Sequence, residues 1–139
     1  MRVEAIFAVL NLVQTNSDDR PVRLAERALP AVVTIEAQTP VGESKGSGFL
    51  VDASGTVVTC LHVVKGASKA SAVLSNGERY EVLRIRAYDE RRDIVVLKIP
   101  AFDLPSVPLG NSNNVKPGQS VLLLGSNLGL EGSVTSGVI

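Results

Sequence analysis

Residues 46–51 read Gly-Ser-Gly-Phe-Leu-Val, and residues 56–64 read Thr-Val-Val-Thr-Cys-Leu-His-Val-Val. Both segments are rich in residues that favour β-strands, and the Asp-Ala-Ser-Gly sequence between them is typical of a turn. The pattern therefore predicts two short strands joined by that turn. The end of the second strand carries His62, the only histidine of the chain. Any function that needs an imidazole must use this residue.

A histidine that acts as a general base needs a carboxylate that fixes its tautomer and a nucleophile whose proton it can accept. Asp93 is the candidate carboxylate, because it directly precedes the sequence Ile-Val-Val-Leu-Lys-Ile at 94–99. Such a run of β-branched and aliphatic residues predicts a buried strand, with Asp93 at its mouth. On these residues alone, a structural role is the more common one for a single histidine near a strand end.

The three segments, in this order and at this spacing, resemble the trypsin-like serine proteases of the HtrA (Deg) family. The likeness continues through residues 108–112 (Pro-Leu-Gly-Asn-Ser) and 129–137 (Gly-Leu-Glu-Gly-Ser-Val-Thr-Ser-Gly), so it covers residues 29–139. The resemblance implies an all-β fold, the trypsin-like double β-barrel, with the first barrel complete, the opening strands of the second barrel and a short N-terminal helix. It also implies that His62 is the catalytic base and that Asp93 is the catalytic-triad carboxylate that orients it.

The resemblance further implies a nucleophilic serine in a Gly-Asn-Ser-Gly-Gly segment, which this sequence does not contain. Ser47 lies between two glycines and Ser136 precedes Gly137. Both match non-catalytic strands of the family, so neither is expected to be the nucleophile. We therefore expect part of a serine endopeptidase that carries the histidine and the aspartate of the triad and is inactive alone.

The family resemblance also sets the expected partners and location. It implies polypeptide substrates, cut in unfolded or exposed segments, and it allows a homo-oligomer in the full-length parent. It favours an extracytoplasmic location, in the periplasm or associated with a membrane. The alternative is a pseudoprotease or protein-binding β-barrel module, and a third interpretation is a small β-barrel with no site. The third interpretation predicts that His62 and Asp93 lie far apart.

Composition excludes some classes of function. Fourteen basic and fourteen acidic residues give a formal net charge of zero, so we expect no nucleic-acid partner. No phosphate-binding motif is present, and no cofactor is expected. Cys60, the only cysteine, lies two residues before His62. Two ligands without a further histidine or cysteine cannot close a zinc site, so Cys60 is expected to be a small core residue and no metal is predicted.

The expected division of the chain has three parts. Residues 1–20 form an N-terminal apolar segment and a polar linker, residues 21–99 the helix and first β-barrel, and residues 100–139 a connector and an incomplete second β-barrel. The apolar run at 5–13 is too short to cross a bilayer as a helix. It is either a signal peptide or a structural strand at an arbitrary start of the chain.

Local patterns predict the remaining elements, and the Asn-Gly hairpin is the strongest of these signals. Before the first quoted segment, we predict a helix from Asp18 or Asp19 to Pro30, a strand at 31–37 and a mobile loop at 38–45. After His62, we predict a helical turn at 63–66 and a hairpin of 70–74 with 78–83, and we interpret 84–92 as a solvated strand end and loop rather than a patch that binds an acidic partner. Near the end of the sequence, we predict strands at 119–124 and 133–139 joined by a glycine-rich loop at 125–129.

Overall fold

The computed structural model describes residues 19–127 and 131–139, without the side chains of residues 127 and 131. Its first element is helix α1 (Arg20–Ala28), followed by a 3₁₀ turn at Leu29–Ala31. Pro21 lies in the first turn of α1, where a missing backbone N–H costs nothing, and Ala25 and Ala28 face the core. The predicted helix is confirmed, whereas the apolar run at 5–13 lies outside the described residues.

Strands dominate the rest of the described chain. Seven of them form one antiparallel sheet with the order β5-β4-β1-β2-β3-β7-β6, and the last two pair with each other. The strands are β1 (Val32–Thr39), β2 (Gly42–Leu50), β3 (Thr56–Cys60), β4 (Lys69–Val73), β5 (Arg79–Glu81), β6 (Arg84–Asp89), β7 (Ile94–Lys98), β8 (Ser120–Asn127) and β9 (Glu131–Val138). The expectation of an all-β, trypsin-like architecture with a short N-terminal helix is confirmed.

The seven-stranded sheet is curled, because its two edge strands are consecutive in the sequence. Only Val82 and Leu83 separate β5 from β6. The N–H of Val82 donates to the carbonyl of Ala70 in β4, at 2.9 Å, and the N–H of Leu83 donates to the carbonyl of Lys98 in β7, at 2.8 Å. Two neighbouring residues therefore bond to opposite halves of the sheet, which brings its edges together around one interior.

The interior is aliphatic, as the low aromatic content requires. The largest fully buried apolar side chains come from strands on both sides of the curl and from the start of the connector. They are Val33, Ile35, Leu50, Val57, Val95, Leu97 and Ile99. Burial of this apolar surface is the main force that closes the sheet.

The prediction of a mobile loop at 38–45 is wrong. β1 and β2 form a hairpin in which Thr39 pairs with Gly42, and residues 42–46 are the exposed half of β2. Glu36 and Lys45 face each other across the hairpin, with Nζ 3.4 Å from Oε1. Because this half of β2 is exposed, it carries polar cross-strand pairs. It therefore lacks the alternating apolar pattern from which a strand is predicted.

The Asn-Gly hairpin is confirmed, with β4 shifted by one residue from the prediction and β5 shorter than predicted. The N–H of Gly77 donates to the carbonyl of Leu74 at 2.9 Å, and Gly77 has a φ of +87°. The helical turn predicted at 63–66 begins earlier, since helix α2 spans Leu61–Val64. The stretch at 84–92 contains the exposed strand β6 and a turn.

β8 joins the second sheet to the first. Leu122 and Leu124 are buried, and the N–H of Ser126 donates to Oγ of Ser47 at 2.9 Å. Residues 125–127 belong to β8, so the glycine-rich loop predicted there is wrong for these residues, while 128–130 lie outside the described residues. Side chains at 132–139 are exposed. In the part of the chain described, no helix is long and apolar enough to span a membrane.

The β2–β3 turn provides a test of the fold. At Gly55 (φ +93°) an added methyl carbon would lie 2.6 Å from the carbonyl oxygen of Ile99, whereas at Gly77 no described atom lies within 4 Å. We expect Gly77→Ala to cost about 1–2 kcal/mol for its left-handed backbone. Gly55→Ala should cost at least about 1 kcal/mol more, because it adds the backbone clash.

Urea unfolding followed by circular dichroism measures the two free energies of unfolding. Equal losses for the two variants would show that the turn does not pack against Ile99 as described.

Candidate active site

His62 lies on α2, the four-residue helical turn that follows β3. Its neighbours Leu61, Val63 and Val64 are buried. The histidine side chain remains 47% exposed. Three apolar anchors thus fix the turn while the imidazole projects from it. The sequence predicts His62 at the end of the strand with a helical turn after it, whereas the strand ends at Cys60 and His62 lies within the turn.

Asp93 occupies the tight turn between β6 and β7. Its φ of +54° is in the left-handed region, which aspartate tolerates better than most residues. Asp89 supports the same turn, because its Oδ1 accepts from the N–H of Arg92 at 3.0 Å and its Oδ2 accepts from Nη1 of Arg92 at 2.6 Å. The side chain of Asp93 is 36% exposed.

The pairing of β3 with β7 brings the two residues together. Cys60 is the register partner of Ile94, so the residues after Cys60 meet those before Ile94. The N–H of Leu61 donates to the carbonyl of Asp93 at 3.1 Å, which continues the strand pairing by one step. The structure therefore brings His62 and Asp93 together. The interpretation as a β-barrel with no site, which predicts that they lie far apart, is wrong on this point.

The carboxylate of Asp93 holds His62 at two points. Its Oδ2 is hydrogen-bonded to the ring atom Nδ1, and its Oδ1 accepts from the backbone N–H of His62 at 2.8 Å. One bond fixes the ring and the other fixes the carboxylate. With Nδ1 committed to Asp93, Nε2 is the ring atom through which His62 can accept a proton from a nucleophile.

Electrostatics keep this carboxylate ionised. Burial alone would raise the pKa of Asp93, but hydrogen bonds from the His62 ring and from the backbone N–H groups of His62 and Leu61 outweigh burial and lower that pKa below its usual value. An ionised carboxylate only accepts hydrogen bonds, so Nδ1 is the donor of the pair. The arrangement can thus hold an imidazole in one orientation and one tautomer.

The two serines considered from the sequence lie on strands. Ser47 is buried in β2, where its Oγ accepts from Ser126, and Ser136 is on the exposed strand β9. Sequence reasoning missed that Cys60 lies close to both His62 and Asp93. Possible ligand atoms of Cys60, His62 and Asp93 all lie within 4.8 Å of one another. The Cys-x-His spacing in the sequence indicated that Cys60 and His62 are close, but the position of Asp93 depends on the register of β3 with β7.

Comparison with known proteins agrees with this architecture. The family model for the trypsin-like peptidase domain matches residues 46–139. A probable periplasmic serine endoprotease, DegP-like, of Pseudomonas fulva is 41% identical over 97 residues, which is 70% of this chain and 20% of that protein. The protein of the same name in Halomonas elongata is 42% identical over 96 residues, 69% of this chain and 20% of that protein.

A solved structure supports the same assignment. The HtrA-type protease AlgW with tripeptide superposes with a TM-score of 0.77 at 30% sequence identity, over 86% of this chain and 39% of that one. The chain belongs to the trypsin-like peptidase family. Within that family, the HtrA resemblance seen in the sequence is confirmed by these relatives, two of which are named as DegP-like serine endoproteases and one as an HtrA-type protease.

The coverage and the names of these relatives determine what can be inferred for this chain. The chain spans about a fifth of the length of the two curated relatives. Both are named as periplasmic, which supports an extracytoplasmic location by family. The catalytic roles of His62 and Asp93 stay predictions at this point.

The two-point contact predicts the tautomer of His62. In Asp93→Asn, the amide oxygen can still accept from the backbone N–H, but the amide nitrogen then faces Nδ1 and requires it to be an acceptor. We expect neutral His62 to carry its proton on Nδ1 in the wild type and on Nε2 in Asp93→Asn.

Nitrogen-15 chemical shifts of the imidazole distinguish the two forms. Asp89→Asn is the matched control, because it makes the same substitution in the same turn while its side chain bonds to Arg92. An identical tautomer in the wild type and Asp93→Asn would contradict the geometry.

Proposed function

We propose that this chain supplies the general base and the orienting acid of a serine endopeptidase. His62 is the base that accepts the proton of a nucleophilic serine through Nε2. Asp93 holds the ring by Nδ1 and stabilises the imidazolium that forms. The two-point contact between this carboxylate and His62 is the observation that carries the proposal.

The nucleophile in this proposal does not come from the serines of this chain. Three described serine hydroxyls are held by other groups: Ser54 donates to Asp52 at 2.8 Å, Ser68 to the carbonyl of Gln38 at 3.4 Å, and Ser126 is bonded to Thr34. None of the chain's serines lies in the Gly-Asn-Ser-Gly-Gly context that the family uses. The chain alone is therefore proposed to be inactive, because the base has no serine to activate.

The proposed substrates are polypeptides, cut in unfolded or exposed segments, in an extracytoplasmic compartment. The support is by family: the relatives are named as endoproteases, and one neighbour was solved with a tripeptide. A homo-oligomeric parent is part of the same proposal. No nucleic-acid partner is proposed, since the net charge is zero.

The division at residues 20 and 99 also belongs to the proposal. Strands β1–β7 form a single sheet that ends at Lys98, and β8 and β9 form a separate pair. The segment between Lys98 and β8 contains only a short 3₁₀ turn at Ser112–Asn114. In the proposed parent, β8 and β9 begin the second barrel, which would supply the serine and the oxyanion donors.

Peptidase assays test the proposal in two forms of the protein. The chain itself should neither cleave fluorescently labelled unfolded casein nor react with a fluorophosphonate probe. If the gene continues in frame past Ile139 into a Gly-Asn-Ser-Gly-Gly segment, the longer product should do both. In that product, Asp93→Asn should lower kcat by about 10⁴-fold, because it favours the wrong tautomer of the base.

His62→Ala should lower the activity of the longer product on the order of 10⁴–10⁶-fold. Glu43→Gln, an exposed change on β2, is the matched control and should leave the rate unchanged. Turnover by the chain alone that His62→Ala abolishes would refute its proposed inactivity. Activity of the longer product that survives His62→Ala would refute the role of the base, and a stop codon after Ile139 would favour the pseudoprotease alternative.

A further inference from the structure

We propose that Cys60, His62 and Asp93 form a binding site for a zinc ion. Ligand atoms of the three side chains lie within 4.8 Å of one another. Tetrahedral zinc, with bonds of about 2.0–2.3 Å, needs ligand atoms about 3.3–3.7 Å apart. Ligand atoms near the 4.8 Å limit would need to approach by about 1 Å, whereas Nδ1 of His62 and Oδ2 of Asp93, which are already hydrogen-bonded, would need to separate as zinc replaced their shared proton.

The backbone already fixes all three residues. Cys60 ends β3 opposite Ile94, and Asp93 precedes Ile94 directly, so one pair of strands holds two of the ligands. The backbone N–H of His62 donates to Oδ1 of Asp93 at 2.8 Å, which orients the carboxylate. Such an outer hydrogen bond is the kind that positions ligands in metal sites.

The chemistry of the ligand set favours zinc over harder cations. A thiolate and an imidazole are poor ligands for magnesium or calcium, which prefer oxygen atoms, but they are common ligands of zinc. The thiolate of Cys60 and the carboxylate of Asp93 together balance the two positive charges of the ion. Cys60 is half-buried, and the side chains of His62 and Asp93 are 47% and 36% exposed, so water can reach the fourth position.

Zinc at this position would inactivate the histidine as a base, whichever ring nitrogen it bound. Coordination through Nε2 uses the lone pair that would accept a proton. Coordination through Nδ1 replaces the hydrogen bond to Asp93 that orients the ring. Inhibition of the endopeptidase by zinc thus rests on the proposed function, but binding of zinc does not.

Metal titration of the chain tests the site without any assay of activity. Zinc added to chelator-stripped protein, in competition with a chromophoric chelator, should bind with a stoichiometry of one per chain. Loss of an outer partner typically weakens a metal site by about 10–100-fold, so loss of a direct ligand should cost at least that much. We expect this loss in Cys60→Ser, His62→Gln and Asp93→Asn, whereas Asp89→Asn in the same turn should bind as the wild type does.

Cobalt provides an independent reading on the wild-type protein, so the test does not depend on whether the variants fold. Bound cobalt should show the near-ultraviolet charge-transfer band of a metal–thiolate bond. Absence of that band, unchanged zinc affinity in folded Cys60→Ser, or no binding at millimolar zinc would each overturn the site. Those outcomes would leave the peptidase proposal intact, and a failed peptidase assay would leave the zinc site intact.

Discussion

The antiparallel pairing of β3 with β7 is the constraint on which the candidate site depends. The pairing ends with Cys60 opposite Ile94. The next backbone hydrogen bond, from the N–H of Leu61 to the carbonyl of Asp93 at 3.1 Å, lies just beyond the paired strands. A register shift of one residue would turn the buried Val57, Val95 and Leu97 out of the core, which makes such a shift costly. The core of the curled sheet therefore fixes the separation of the histidine and the aspartate, although neither side chain belongs to that core.

Small residues in the Gly-Ser-Gly segment allow the site and the second sheet to approach β2. A methyl group at Gly46 would lie 2.6 Å from the side chain of Val63, the buried neighbour of His62, so a larger residue there would force α2 or Val63 to shift. At the next position, the hydroxyl of Ser47 accepts from Ser126 of β8. Among the described residues, every buried side-chain polar atom has a hydrogen-bond partner, so this contact adds no unpaired group to the core. One short segment of β2 thus positions both the base and the strand that follows the connector.

The sequence predicted the elements whose signal is local. The Asn-Gly turn, the aliphatic strand after Asp93 and the helix that ends near Pro30 all depend on residues close in the chain, and each is present. It failed at 38–45 because the exposed half of β2 carries polar and glycine residues, whose strand is set by pairing with β1. It failed at 125–127 because Gly125 and Ser126 pair with Ser133 and Gly132 across β8 and β9. The proximity of Cys60 to Asp93 was hidden for the same reason, since pairing between distant segments leaves no local pattern.

The exposure of the His62–Asp93 contact shows what kind of force maintains it. A polar side-chain contact this open to water contributes only about 0–1 kcal/mol, too little to order two side chains by itself. Its geometry comes instead from the backbone: from the left-handed conformation of Asp93 and from the bond between its Oδ1 and the N–H of His62. The fold therefore prepares the orientation of the imidazole before any partner is present. The electrostatic interaction between Asp93 and His62 would become strong only if another part of the protein covered them, excluded water and lowered the local dielectric constant.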